Sequence, residues 1–297
     1  MRSSGLQTAA VTVQLGDRPR DDELDLFGLT HRSLVRPENQ DHFLLATVHR
    51  QVLIHGTNLP AAETLPLRGE RLATLLLVAD GVGGGAAGSE ASQLAIEAIT
   101  RYVSSTLRSY HAAGTAVEGE LLGTLREAAL EAHAAVLADA TGKPERAGMA
   151  TTLTLALAVW PWADVVQVGD SRCYCFRDGT LSQVTRDQTV AQDLVDQGVL
   201  AAEHASDSPF GSVLASAIGG REAMPEVTRV DIRERGTVIF LCSDGLTKHV
   251  SAAEIAERIG GMESSEQLCR SLVALALERG GIDNITILAG RARAAKP

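Results

Sequence analysis

Apolar residues in this chain follow two rhythms. Short runs rich in Val, Ile, Leu and Thr, bounded by Gly, Asp or Pro, read as strands: DHFLLAT from Asp41, VLIH from Val52, ATLLLVA from Ala73, TTLTLALAV from Thr151, DVVQVG from Asp164, RCYCFR from Arg172, TVIFLC from Thr237 and NITILAG from Asn284. Stripes at i, i+4 read as helices. Leu94, Ala95, Ala98, Ile99, Tyr102 and Val103 form one, and Leu121, Leu122, Leu125, Ala129, Ala132 and Val136 form another. Ser251 with Glu254, and Ser264 with Gln267, fit the capping box that opens a helix; the second of these helices runs through Leu268, Leu272 and Ala276 and stops at Gly280-Gly281. Strands come in groups with helices grouped between them, which predicts α+β layers built on antiparallel sheets. No repeat or linker interrupts residues 27–292, so one domain is expected there. An arm or edge strand over residues 1–26 precedes it, a tail at 293–297 follows it, and His55 to Glu70 reads as a long surface loop.

Composition narrows the classes. With 297 residues the chain is long enough for a substantial core, and 45% hydrophobic against 22% charged residues excludes wholesale disorder. Only 3% is aromatic and the net charge is −10, so neither base stacking nor phosphate-backbone binding has the residues it needs, and nucleic acid is excluded as a partner. Cys173, Cys175, Cys242 and Cys269 sit in apolar segments without paired C-x-x-C spacing and read as reduced core residues. The N-terminal stretch has no signal-peptide core, and Thr151 to Val168, broken by Pro161 and Asp164, reads as a hairpin and not a membrane span, so a cytoplasmic location is expected.

Three apolar strands run directly into an aspartate: LLLVA into Asp80, VVQVG into Asp170 and VIFLCS into Asp244; Asp283 and Asp41 open two more. Each alone is a turn signal. Together they are harder to dismiss, because strand ends on neighbouring strands lie about 5 Å apart and carboxylates there converge. Converging carboxylates repel unless a cation sits among them. Aspartate oxygens without nearby His or Cys suit hard divalent ions such as Mg²⁺ or Mn²⁺, and the eight scattered histidines disfavour zinc. Gly81 to Ala86 formally matches G-x-G-x-x-A, but Asp80 would set a negative charge beside a pyrophosphate, so these glycines read better as slim backbone beside a metal. Arg36, five residues before Asp41, is either a solvated surface residue or, beside a metal cluster, a bidentate clamp for phosphate oxygens.

The ordered set VRPENQD, VADGVGG, GMATTLT, VGDSR, LCSDGL and DNITI spans residues 36–287 and resembles the metal-dependent (PPM, type 2C) serine/threonine protein phosphatases, most of all their bacterial stand-alone members. The resemblance implies a four-layer α-β-β-α sandwich, two antiparallel sheets flanked by helix pairs. It implies hydrolysis of phosphoserine and phosphothreonine in proteins by a metal-activated water, with two Mn²⁺ or Mg²⁺ ions and room for a third. Asp80 resembles the bridging ligand and Gly81 would lend its carbonyl. Asp244 and Asp283 match the ligands of the other ion, and Asp170 with Asp244 matches a third, weaker site. Asp41 resembles the acid that holds the water, and Arg36 the phosphate-binding arginine. Gln188 to Gly211 resembles the flap beside the active site. The implied partners are phosphorylated proteins in signalling, substrates of Ser/Thr kinases or the kinases themselves. Gln40 stands where many members have Glu, Ser33 where Gly is common, and Val82 where eukaryotic members carry a His proposed as general acid. The alternatives are a catalytically weak relative that binds phosphoproteins, against which the full set of acids stands, and a nucleotide-binding α/β enzyme using the Gly81 to Ala86 loop.

Overall fold

The computed structural model describes residues 18–49, 52–58, 71–83, 86–113, 118–205 and 208–293. Two antiparallel sheets lie face to face. The first holds β1 (Leu24–His31), β12 (Ile285–Ala292), β11 (Val238–Cys242), β8 (Arg172–Arg177) and β9 (Thr180–Gln183), in that order. The second runs β10 (Glu226–Asp231), β7 (Trp162–Val168), β6 (Leu153–Val159), β4 (Arg71–Val82), β2 (Asp41–His49) and β3 (Val52–Thr57), with the short β5 (Ala150–Thr151) paired to the far end of β4. Helices α1 (Ala87–Ala113) and α2 (Glu118–Ala140) cover the outer face of the second sheet; α5 (Ala252–Gly260) and α6 (Ser265–Glu278) cover the first.

Period-2 alternation explains the layering, because it sends successive side chains to opposite faces. On β4, Leu75, Leu77 and Ala79 face α1 and α2, while Leu76 and Val78 face the other sheet. On β11, Val238, Phe240 and Cys242 face α5 and α6, while Ile239 and Leu241 turn inward. Three apolar layers result, the middle one formed by Phe43, Leu45, Leu76, Val165, Leu241 and Leu288 among others. This is the expected α-β-β-α sandwich. Cys173 and Cys175 point together into the middle layer, and all four cysteines are free and buried, as packing residues. Ala95, Ile99 and Val103 on α1, with Leu125, Ala129, Ala132 and Val136 on α2, fill the outer layer, so the described part of both stripes is core.

Several details differ from the sequence reading. β1 starts at Leu24, inside the stretch read as an arm or edge strand, and runs on to His31 as the edge of the first sheet, paired along its whole length with β12; residues 1–17 lie outside the described residues. Arg71 ties Asp21 to this region with a bond of 2.8 Å. β9 and β10 are strands that the sequence reading did not assign. Thr57 closes β3, so the surface loop begins later than His55, and residues 59–70 lie outside the described residues. The Ser251 box forms completely, whereas Ser264 only accepts from the Gln267 N–H, at 3.1 Å, without the reciprocal bond. Among the described residues no helix is long and apolar enough to cross a membrane.

Candidate active site

The five aspartates gather at one end of the sandwich, drawn from both sheets. Asp41 is the first residue of β2 and lies directly opposite Asp80 on β4. β4 does not end at Asp80 as the apolar run suggests. It continues to Val82, because Thr151 and Thr152 extend its pairing: the Asp80 N–H donates to Thr152 Oγ1 at 3.0 Å, and its carbonyl accepts from the Thr152 N–H and Thr151 Oγ1, both at 2.9 Å. Thr152 and Ser171 hydroxyls meet at 2.7 Å, which binds the turn carrying Asp170 to the same network. Asp244 opens the short helix α4 (Asp244–Thr247) after β11, and Asp283 sits in the turn that leads into β12. Two glycines make this convergence possible. A Cβ on Gly81 would strike the carbonyls of Gly88 and Gln40, and one on Gly245 would land on the carbonyl of Asn284.

Asp41 is fully buried. Its Oδ2 accepts from Ser243 Oγ at 2.8 Å and Thr286 Oγ1 at 2.7 Å, while its Oδ1, though buried, has no partner. Asp244 Oδ1 is likewise buried and unpartnered. Burial pushes the Asp41 carboxyl up to about 7; the Thr286 and Ser243 hydroxyls pull it back, and the charges of Asp244 and Asp283 add to the rise. Asp170 rises to about 8, first through burial and then through Asp244 and Asp187. Asp80 rises well above the carboxylate range through burial, followed by the charges of Asp41, Asp244, Asp170 and Asp283. Left without a compensating cation, these groups hold protons.

Two cations of the chain itself answer part of this charge. Arg36 grips Asp283 with both ends of its fork, Nε to Oδ1 at 2.8 Å and Nη2 to Oδ2 at 2.9 Å. Lys248 Nζ bridges Asp244 Oδ2 at 2.6 Å and Asp283 Oδ2 at 2.7 Å. Burial works against the ionised Asp283, yet the bonds from Arg36 and Lys248 outweigh it and lower its pKa. Lys248 is raised: burial lowers it, and Asp244 and Asp283 more than compensate. With these side chains in place, no three His, Cys, Asp or Glu among the described residues already stand as a finished cage for an ion.

The loop bearing Arg36 is anchored by Asn284, whose Oδ1 accepts from the Gln40 N–H at 2.9 Å and whose Nδ2 donates to the carbonyls of Arg32 and Glu38 at 2.7 and 2.9 Å. Ser33, at the position where the resemblance has Gly, adopts φ 85°, a left-handed conformation, and its hydroxyl accepts from the N–H groups of Val35 and Arg36 at 3.2 and 2.9 Å. Those two bonds offset a backbone cost of about 1 kcal/mol or more. Val82, 44% exposed, presents a hydrocarbon beside Asp80. Within the segment read as a flap, α3 (Val190–Asp196) is helical and Gln188 latches the Asp170 turn through reciprocal bonds with Gly169, each 2.9 Å; residues 206–207 lie outside the described residues.

Sequence reasoning brought forward Arg36, Asp41, Asp80, Gly81, Asp170, Asp244 and Asp283. It missed Ser243, Thr286, Asn284 and Lys248. Of these only Lys248 had a local signal, its i, i+4 spacing from Asp244.

Comparison with known proteins identifies the family and the fold. The protein phosphatase 2C family model matches residues 65–275. The serine/threonine protein phosphatase PstP of Mycobacterium tuberculosis is 39% identical over 216 residues, which is 73% of this chain and 40% of that protein, so the chain spans well under half of this relative's length. The serine/threonine phosphatase stp of Listeria welshimeri is 31% identical over 214 residues, 72% of this chain and 82% of its own. The crystal structure of the PstP catalytic domain in complex with two manganese ions superposes with a TM-score of 0.69 at 31% identity, covering 91% of this chain and 99% of that one.

Proposed function

We propose that this chain, which belongs to the protein phosphatase 2C family, hydrolyses phosphoserine and phosphothreonine in proteins. The observation that carries the reading is the pair of buried, unpartnered carboxylate oxygens, Asp41 Oδ1 and Asp244 Oδ1, within a five-aspartate cluster. Orphaned carboxyl oxygens with no His or Cys among them are the donor set of a hard divalent ion. Asp80, the Gly81 carbonyl, Asp244 and Asp283 would hold two such ions, Mn²⁺ or Mg²⁺, and Asp170 with Asp244 a third. Bound there, the ions supply Lewis acidity that activates water and neutralises charge on the phosphate.

The chain's own groups do the rest. Arg36, exposed by about half its side chain, leaves Asp283 and takes two phosphate oxygens with the same planar fork. Asp41, held by Ser243 and Thr286, turns its free Oδ1 to the attacking water and orients it in line with the leaving oxygen. The water oxygen bonds to phosphorus as the bond to the serine or threonine oxygen breaks; the water gives up one proton to solvent, and solvent returns one to the leaving oxygen because Val82 has none to give. Phosphorylated proteins, including Ser/Thr kinases, are the substrates this chemistry suits, in cytoplasmic signalling.

Turnover of p-nitrophenyl phosphate and of a phosphothreonine peptide, with Mn²⁺ and with chelator, tests the reading. Wild type is expected to turn over both only with Mn²⁺, and Asp80→Asn to lose activity and Mn²⁺-induced thermal stabilisation together. A wild type as inert as Asp80→Asn under saturating Mn²⁺ would turn the assignment toward a phosphoprotein-binding relative.

A further inference from the structure

Lys248 caps the four-residue helix that begins at Asp244, its N–H donating to the Asp244 carbonyl at 2.9 Å. That turn folds the side chain back over the site. The ammonium then lies between Asp244 and Asp283, 2.6 and 2.7 Å from one oxygen of each. With Arg36 Nε on Asp283 Oδ1, joined by the Asn284 N–H at 3.0 Å, both oxygens of Asp283 are spoken for. Asp244 keeps one free oxygen, the buried Oδ1. The two carboxylates that would share an ion therefore already share a cation supplied by the chain.

We propose that Lys248 is a tethered counter-ion for the Asp244–Asp283 pair, which a divalent ion must displace in order to bind there. The inference rests on the metal-centre reading above and adds a residue to it. A lysine suits the part: its ammonium is a compact point charge with three donors on a flexible stem, able to swing out without moving the backbone. At 30% side-chain exposure Lys248 has solvent to swing into. While it is in place it offsets repulsion between the acids. When it leaves, that compensation passes to the incoming ion, so the apparent affinity for the ion is reduced by the cost of expelling the lysine. The lysine is thus a positioning residue for the acids and a brake on metal loading.

Calorimetric titration of the metal-free chain with Mn²⁺, comparing wild type with Lys248→Met and Lys248→Arg, tests this, with melting temperatures taken in chelator. Lys248→Met keeps the length of the stem and removes the charge. It is expected to bind Mn²⁺ about tenfold or more tightly than wild type and to melt lower than wild type in chelator, while Lys248→Arg stays weak-binding. An unchanged or weakened affinity in Lys248→Met, with wild type still binding, overturns the counter-ion role and leaves the metal centre standing. Absence of Mn²⁺ binding in both overturns the metal centre and the counter-ion with it. Lys248→Gln gives the same comparison should the methionine variant fail to fold.

Discussion

Asp41→Asn offers a direct measure of what the site costs the fold. Asp41 is fully buried, and its carboxyl titrates at about 7 instead of 3.8. A shift of roughly three units corresponds to about 4 kcal/mol between the protonation states. The sign follows from proton counting: the native state keeps its proton to about 7 and the unfolded chain loses it near 3.8, so stability drains away as pH rises through that window and is flat above it. Asparagine never ionises and escapes the loss. Its carbonyl can still accept from Ser243 and Thr286, but its amide falls where Oδ1 now has no partner, taking back about 1–2 kcal/mol. The net gain for the metal-free protein above pH 7 is about 2 kcal/mol, or roughly 4–8 °C in melting temperature. Scanning calorimetry in chelator at pH 8 and pH 4.5 should show the mutant melting higher at the first and the gap closing at the second. A mutant that melts at or below wild type in chelator at pH 8, or a gap of the same size at both pH values, refutes the reasoning.

Gly245→Ala should lower the melting temperature, because its methyl meets the Asn284 carbonyl and the backbone between Asp244 and Asp283 has to give; a cost of about 1–3 kcal/mol is expected, read by thermal circular dichroism. Val82 has no proton to give a leaving group, so on the proposed chemistry single-turnover rates should be faster on an aryl phosphate than on a phosphoserine peptide, and Val82→His should narrow the gap; equal rates in wild type would contradict it. Glu254 is held at about 2 by Arg279 and then by the Ser251 groups, against an ordinary 4.5. Its contribution is therefore whole above 4.5 and is lost as pH falls toward 2, so the melting curves of wild type and Glu254→Gln should differ at neutral pH and converge in acid.

Much of the scaffold was legible because both its rhythms are simple. The alternation in LLLVAD and VIFLC assigns each residue to a layer without knowledge of neighbours, and RCYCFR coincides with β8. The strands that escaped, β9, β10 and the part of β1 beyond Leu26, all lie at sheet edges. Thr180 to Gln183 is almost wholly outside the core, and no residue from Glu226 to Asp231 is fully buried, so neither carries the apolar density that marks an interior strand. The acids were found because a charge at either end of an apolar run is conspicuous. Ser243 and Thr286 were not, since a hydroxyl beside a strand is ordinary until the pairing of β11 with β12 brings both to one carboxylate. Ser33 shows the same limit: its left-handed backbone lies in the Arg36 loop that Asn284 pins at Arg32, a contact spanning 252 residues of chain.

The aspartates come from opposite leaves of the sandwich, Asp41 and Asp80 from one sheet and Asp244 and Asp283 from the rim of the other. Ions held between Asp80 on one leaf and Asp244 and Asp283 on the other would be a rivet through the seam. Ser243 and Thr286 already tie Asp41 across the seam at this end, and elsewhere the leaves adhere through hydrocarbon contacts whose attraction is non-directional. Fastening one end would convert that seam into a pivot, so metal loading should stiffen the shear of one sheet over the other throughout the molecule, well beyond the catalytic pocket.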